Sequence, residues 1–328
     1  MGQIRIGLVG CGGFAGVHVR RLQSIPGCGI VSLYDANPDQ LQVFSTTHFR
    51  EDSNLDLHQT IEDLFDSATL DAVVISSPHA YHFEQGSMAL DRGCHVLMEK
   101  PMVVGGSDAK ALADKVRSSD KVFVVGYNTP CTMPIRRTRE IVRSGELGEL
   151  EAVSGWLSQD WKRLTTGKWR QSKSISGGGQ MLDSGARLFA SIVFCVDRPP
   201  ISAYAQAQHL GCEVEINGAA TIVFEGGVLA NVLIAGDSAV DGAGLVFFFE
   251  HGRVEVDGWG GNWMRVFRRG TDTVEEFAPE HRTTPDDNFI AAIQKKEEPI
   301  AGVELGETLA ILMDAIYRSA ESNVPVPL

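Results

Sequence analysis

Residues 4–15 read IRIGLVGCGGFA, and the parsing of that stretch decides the fold. Ile4 to Val9 is a short apolar run with the character of a buried strand. Gly10-Cys11-Gly12-Gly13-Phe14-Ala15 reads as a tight turn, and a helical pattern follows from Phe14 to Ile25. Strand, glycine turn and helix in that order form the cradle that a dinucleotide's diphosphate requires. Gly10 allows the turn, Gly12 has no Cβ to block the phosphates, and Ala15 lets helix and strand pack closely. The helix N-terminus offers N–H groups and a partial positive charge to the anion.

A second apolar run, Ile30 to Tyr34, ends in Asp35, about twenty residues past the motif. An acid there accepts hydrogen bonds from the ribose hydroxyls and repels a 2′-phosphate, which predicts NAD rather than NADP. The competing reading is a glycine turn in a generic α/β protein, with Asp35 only capping the next helix.

With 328 residues, the chain is expected to hold two domains and a sizeable core. Its net charge of −13 argues against nucleic-acid binding, because little in it displaces counterions from a phosphate backbone. Six scattered cysteines (Cys11, Cys28, Cys94, Cys131, Cys195, Cys212) form no C-x-x-C pair, so neither a metal site nor a disulfide framework is expected. The first strand begins almost at the N-terminus, leaving no room for a signal peptide, and no apolar stretch suggests a membrane span. The expected compartment is the cytoplasm.

Strand-like runs and helical patterns alternate up to residue 127, including Asp71–Ser77, a helix from about Ala80 to Arg92, His95–Glu99 and Val122–Tyr127. This grammar predicts a doubly wound parallel sheet. A domain boundary is expected near residue 126, dividing the chain into 1–126 and 127–328. Beyond it come a helix over Pro134–Ser144, a strand over Leu150–Ser158, a polar stretch Gln159–Ser176 and a helix from about Gln180 to Val196. Seven strand-like segments between 202 and 277 follow, then helices near Asp286–Lys296 and Glu304–Asn323, which predicts an antiparallel or mixed sheet. Leu245-Val246-Phe247-Phe248-Phe249 is apolar at consecutive positions, so both faces of that strand need cover. A second subunit is the simplest cover for one of them.

Glu99-Lys100-Pro101 stands at the C-terminal end of the strand beginning at His95, the edge where ligands bind in such sheets. A lysine there can reach a substrate hydroxyl beside a nicotinamide. At this point the sequence resembles the glucose–fructose oxidoreductase / inositol dehydrogenase (Gfo/Idh/MocA) family of NAD(P)-dependent oxidoreductases. The resemblance rests on GLVGCGGFAGVHVRRL, LYDANP, VVISSPHAYH, DRGCHVLMEKP, VGYN, SGELGEL, WRQSKSISGGGQMLDSGAR and the ending GETLAILMDAIYRSAESNVPVPL.

The resemblance implies an N-terminal Rossmann domain and a C-terminal α/β domain with a large open, mostly antiparallel sheet that often mediates dimers or tetramers. It implies that Gly10, Gly12, Gly13, Phe14 and Ala15 line the diphosphate and that Asp35 meets the adenosine ribose. Ser77, Pro78 and His82 would line the cofactor cleft, with Glu99, Lys100 and Asn128 toward the nicotinamide, and Trp169 and Arg170 would close over it. Ordinary core packing is the competing reading for His82 and Trp169.

The family's Asp-x-x-x-His, expected on one helix face, here reads Asp183-Ser184-Gly185-Ala186-Arg187. Histidine titrates near neutrality and serves as a base, whereas arginine stays charged and does not. Thr129-Pro130-Cys131 also departs from the arginine and aromatic of many members. Three accounts of Arg187 follow: binding of an anionic substrate such as a sugar acid, a protein that binds NAD without turnover as a sensor, or a structural pair with Asp183. Under the first, Lys100 or Asp183 handles the proton, and His79, Tyr81, Tyr127 and His209 are further candidates. The expected reaction is hydride transfer between nicotinamide and a carbinol carbon of a sugar, cyclitol or sugar acid. NAD-assisted redox-neutral sugar chemistry is a further alternative.

Overall fold

The computed structural model describes residues 2–50, 52–67, 69–278 and 283–328. The chain divides into two compact units. The first comprises Met1–Val104, Asp108–Gly126 and Thr284–Val303, and the second comprises Gly105–Ser107, Tyr127–Thr283 and Glu304–Leu328.

In chain order the first part of the protein runs β1 (Ile4–Val9), α1 (Ala15–Ser24), β2 (Cys28–Tyr34), α2 (Pro38–His48), β3 (Asp56–His58) and α3 (Ile61–Ser67). It continues with β4 (Ala72–Ile75), α4 (His82–Asp91), β5 (His95–Met98), α5 (Gly106–Arg117) and β6 (Phe123–Val125). The six strands form one sheet in the order β3-β2-β1-β4-β5-β6, and every pairing is parallel. The order reverses between β1 and β4, which places a topological switch point at the glycine turn after β1.

The strands are apolar on both faces because helices cover both, and Ile6, Leu8, Val74, Leu97 and Val124 are fully buried. Phe289 and Ile290 of α10 (Pro285–Ile293) enter the same core, which is why that segment belongs to the first unit. Thr284 starts this helix with a capping box, its hydroxyl accepting from Asp287 N–H while the Asp287 carboxylate accepts from Thr284 N–H.

The second unit runs α6 (Met133–Ser144), β7 (Leu150–Ser158), α7 (Trp161–Thr165), α8 (Lys173–Ser176) and α9 (Ala186–Val196). Then come β8 (Pro200–Gln208), β9 (Asn217–Phe224), β10 (Leu229–Ala235), β11 (Gly242–Phe249), β12 (Gly252–Asp257), β13 (Met264–Arg268) and β14 (Val274–Phe277). After α10 the chain closes with α11 (Val303–Ser322) and β15 (Val326–Pro327). The nine strands form a sheet in the order β14-β13-β12-β11-β7-β10-β9-β8-β15. Within this sheet, among the described residues, only β7 and β10 pair in parallel, so it is mixed and mostly antiparallel.

The run Leu245–Phe249 divides as a strand should. Leu245, Phe247 and Phe249 are buried, while Phe248 points the other way and is 41% exposed. Trp156, Leu229 and Leu233 share that open face, each about half exposed.

Two expectations about local structure need correction. The short strand β3 and the final strand β15 were not foreseen, because three and two residues carry too little periodicity to read. The helix expected from Gln180 begins instead at Ala186. The turn before it falls out of α-helical register, since Gly185 N–H donates to Gln180 O, five residues back, while the N–H groups of Gly179 and Met181 are anchored by the Glu215 carboxylate. Asp183 therefore lies in the turn before α9 and does not share a helix with Arg187.

Candidate active site

In the first unit the glycine turn has the geometry of an anion cradle. Gly10 has φ +88°, and a Cβ there would sit 2.7 Å from Ser77 N and 2.8 Å from Ser76 C. Those are main-chain atoms at the end of β4, so only glycine lets the two loops meet. At Gly12 and Gly13 a Cβ would meet nothing within 4 Å, and no side chain caps the start of α1. Open space lined by uncapped amides at a helix N-terminus fits a diphosphate. Phe14 is partly exposed beside it, and Ala15 is fully buried against the sheet.

Cys11 clamps this turn. Its N–H donates to Oδ2 of Asp35 at 2.7 Å, and its carbonyl accepts from Gln40 Nε2 at 2.7 Å. Oδ1 of Asp35 accepts from Asn37 N–H at 2.8 Å. Asp35 thus sits half-buried at the tip of β2 against the glycine turn. The Cys11 thiol is buried, and burial together with the Asp35 charge pushes its pKa up to about 12, so it is an inert packing group.

Lys100 is half-buried at the tip of β5, and its neighbours are held from two sides. Glu99 is turned inward, where Oε1 lies 3.2 Å from Nε2 of His18. His82 is fully buried, with Nδ1 2.8 Å from Pro101 O and Nε2 2.9 Å from Ser77 O. Burial lowers the pKa of His82 while its contacts to Pro101 O and Ser77 O pull the other way, and the ring ties the β4 loop to the Lys100–Pro101 turn. Glu99 and His82, expected along the cleft, therefore face protein groups, because each finds a buried polar partner there. The Ser77 hydroxyl donates to Gln85 Oε1 at 2.5 Å, and Pro78 opens the short 3-10 turn over His79–Tyr81. His79 is buried and Tyr81 exposed.

The second unit gathers the other expected residues around α9. Oδ2 of Asp183 accepts from Trp161 Nε1 at 2.8 Å and from Arg170 Nε at 3.1 Å. Arg170 also lies over the Trp169 ring, 4.4 Å from its centroid. The Arg187 guanidinium lies over the ring of Trp259 at 4.3 Å, a cation–π geometry. The Arg187 carbonyl accepts from the hydroxyls of Thr129 at 3.1 Å and Ser191 at 2.9 Å. Trp259 is set by Asp257, whose carboxylate accepts from the N–H groups of Trp259, Gly260 and Asn262. Both the main chain and the guanidinium of Arg187 are thus fixed. Tyr127 is buried and His209 is exposed.

The turn carrying Asp183 is anchored by Glu215, which is buried and accepts from Gly179 N–H, Met181 N–H and the Tyr317 hydroxyl. Burial raises the Glu215 pKa, and the three donors pull against that rise. Asn128 Oδ1 and Gln180 Oε1 are buried acceptors with no hydrogen-bond partner among the described residues. Buried acceptors in that condition are where ligand donors are expected.

His18, Gln40, Trp161, Gln180, Glu215, Trp259 and Asp286 were not singled out from sequence. His18 carried a signal, since it lies one helical turn after Phe14 on the diphosphate helix. Glu215, Trp259 and Asp286 carried none, because each acts on residues distant in the chain. Among the described residues no group of three or more His, Cys, Asp or Glu is arranged to hold a metal ion. Among them also, no helix is long and apolar enough to cross a membrane.

Residues 4–127 match the Gfo/Idh/MocA oxidoreductase family, NAD-binding Rossmann fold, and residues 135–261 match the Gfo/Idh/MocA C-terminal domain. D-glucoside 3-dehydrogenase of Escherichia coli (strain K12) is 25% identical, over 99% of this chain and 97% of its own. 1-Carboxy-3-chloro-3,4-dihydroxycyclohexa-1,5-diene dehydrogenase of Comamonas testosteroni is 25% identical over 71% of this chain and 58% of its own. An inositol dehydrogenase homologue from Azotobacter vinelandii, solved with NAD+, superposes with a TM-score of 0.88 at 16% identity, covering 100% of this chain and 98% of that one. The glycine cradle, Asp35 beside it, and matches that span both halves of the chain agree: it belongs to the Gfo/Idh/MocA family of NAD-binding oxidoreductases.

Proposed function

We propose that this oxidoreductase is an NAD-dependent dehydrogenase that oxidises a carbinol carbon of a sugar, cyclitol or sugar acid bearing an anionic group. The nicotinamide, when bound, supplies the hydride acceptor. Gly10, Gly12, Gly13, Phe14 and Ala15 hold the diphosphate, and Asp35 selects the ribose by accepting its hydroxyls and repelling a 2′-phosphate.

Lys100 takes the proton from the substrate hydroxyl. A lysine suits this task because its amine stands at the strand tip where ligands bind and can exchange a proton with a hydroxyl. Asp183 orients the hydroxyl or relays its proton, held by Trp161 and Arg170. Arg187 cannot replace the family's histidine as a base, because a guanidinium keeps its proton at every working pH. Its fork suits a carboxylate, and stacking on Trp259 fixes the plane of that fork. The carboxylated diol named for the Comamonas relative supports the same class of substrate. Asn128, with its orphaned acceptor, suits an amide donor of the cofactor, and Trp169 with Arg170 would cover it.

The single observation carrying this reading is the open glycine cradle clamped to Asp35 through Cys11. The open face bearing Trp156, Leu229, Leu233 and Phe248 supports a homodimer or homotetramer built through the large sheet, and we place the protein in the cytoplasm. The test is a panel of polyols and sugar acids with NAD, read by NADH absorbance. Lys100→Met should lower kcat on the best substrate by about 10²–10⁴-fold while NADH still binds. Turnover within about threefold of wild type would remove Lys100 from the reaction.

A further inference from the structure

His18 lies one turn into α1 and is fully buried. Its Nδ1 is 2.6 Å from Oδ1 of Asp286, and its Nε2 is 3.2 Å from Oε1 of Glu99. A neutral imidazole donates from one nitrogen only and would set a lone pair against a carboxylate at the other. Two carboxylate contacts therefore make His18 an imidazolium. Arg21, one turn further along α1, takes Oδ2 of Asp286 at 3.0 Å. Two cations and two carboxylates thus balance; among the described residues the buried Cys28 thiol feels Asp286 and the buried His82 feels Glu99.

This cluster joins three elements. Helix α1 carries the diphosphate cradle at its N-terminus, Glu99 ends β5 immediately before Lys100, and Asp286 belongs to α10. The His18 ring also meets Phe14 of the cradle edge-on, with centroids 5.3 Å apart. Glu99 reaches His18 by passing over Gly126, where a Cβ would overlap Oε1. On the far side of Lys100, His82 holds Pro101 O.

We propose that His18 is the positioning residue of this site: seated on Asp286, it locks Glu99, and with it the Glu99-Lys100-Pro101 turn, to the diphosphate helix. Cofactor seating and lysine placement are then set by one buried ion cluster. The inference rests on the reading of Gly10–Ala15 as the NAD cradle and of Lys100 as the proton-handling group.

Asparagine and glutamine separate the two contacts. An asparagine amide places its N–H groups near Nδ1 and can serve Asp286, whereas a glutamine amide places them near Nε2 and can serve Glu99. NADH is titrated by fluorescence into wild type, His18→Gln and His18→Asn at pH 7, with Tm recorded for each. The expected result is a Kd within about threefold of wild type for His18→Gln and about tenfold weaker for His18→Asn, the two variants having similar Tm to each other. The kcat with substrate should follow the same order, with KM little changed. NADH binding as tight in His18→Asn as in wild type overturns the inference while leaving the cradle intact. Failure of the wild type itself to bind NADH overturns the cradle reading, and this inference with it. Should neither His18 variant fold, Glu99→Met, which offers His18 Nε2 no oxygen acceptor, decides: about tenfold weaker NADH binding supports the lock, and unchanged binding overturns it.

Discussion

The carboxylate of Asp35 accepts the main-chain N–H of Cys11, 2.7 Å away, so the acid at the tip of β2 also holds the glycine turn after β1. Under the proposed NAD reading, recognition of ribose and diphosphate is coupled through this one side chain. Asp35→Ala strips the acceptor from Cys11 and from Asn37, each a loss of about 1 kcal/mol. Calorimetry should show NADH binding weakened by about tenfold and NADPH binding weakened much less, narrowing the preference. Equal weakening of both cofactors would mean that the carboxylate acts on the turn alone.

Gly10 and Gly12 should fail in different ways. Gly10→Ala places a side chain at φ +88° and against the Ser76–Ser77 main chain, so folding should lose at least about 1–3 kcal/mol. Gly12→Ala adds its methyl to open space, so stability should hold within about 0.5 kcal/mol while NADH binding is lost. Urea denaturation and NADH titration on both variants check the contrast. A stable Gly10→Ala, or a Gly12→Ala that binds NADH normally, contradicts it.

His18 should make stability fall in alkali. Burial alone would lower its pKa, but the charges and hydrogen bonds of Asp286 and Glu99 outweigh burial and raise it from 6.5 to about 9. A folded value above the unfolded one means that the contribution is complete below about pH 6.5 and is lost as pH rises through about 9. The Tm of the wild type should therefore drop more steeply between about pH 8 and pH 10 than that of His18→Gln. Parallel profiles would show that His18 is not charged in the folded protein.

Glu215 is a stability determinant of the turn that carries Asp183. Glu215→Gln puts an amide NH₂ against one of three donors, those of Gly179, Met181 and Tyr317, at a cost of about 1–3 kcal/mol. Tyr317→Phe removes one donor only and should cost about 0.5–1.5 kcal/mol. Chemical denaturation of the two variants measures both, and a Glu215→Gln as stable as wild type would show that the turn holds without the carboxylate.

Much of this molecule was legible in its sequence. Ile4–Val9 followed by the glycine turn announced the first strand and the cradle, and the same alternation carried the parallel sheet through β6. Glu99-Lys100-Pro101 was located correctly at a strand tip, yet the inward turn of Glu99 was not readable, because its partner His18 is 81 residues away. The Asp183–Arg187 spacing suggested one helix, and it misled because Gly185 N–H bonds Gln180 O, five residues back and out of α-helical register, so regular helix begins only at Ala186.

The sequence by itself determined what depends on neighbours along the chain: strand periodicity, the glycine that a positive φ demands, and an acid following the second strand. Only the tertiary structure decided that 284–303 returns to the first unit and brings Asp286 to His18 across 268 residues. It alone brought Trp259 under Arg187 and seated Glu215 on the glycine run. The reason is physical. Local backbone preferences are set by adjacent residues, whereas a buried charge is satisfied by whichever partner the packed core delivers, at any distance along the chain.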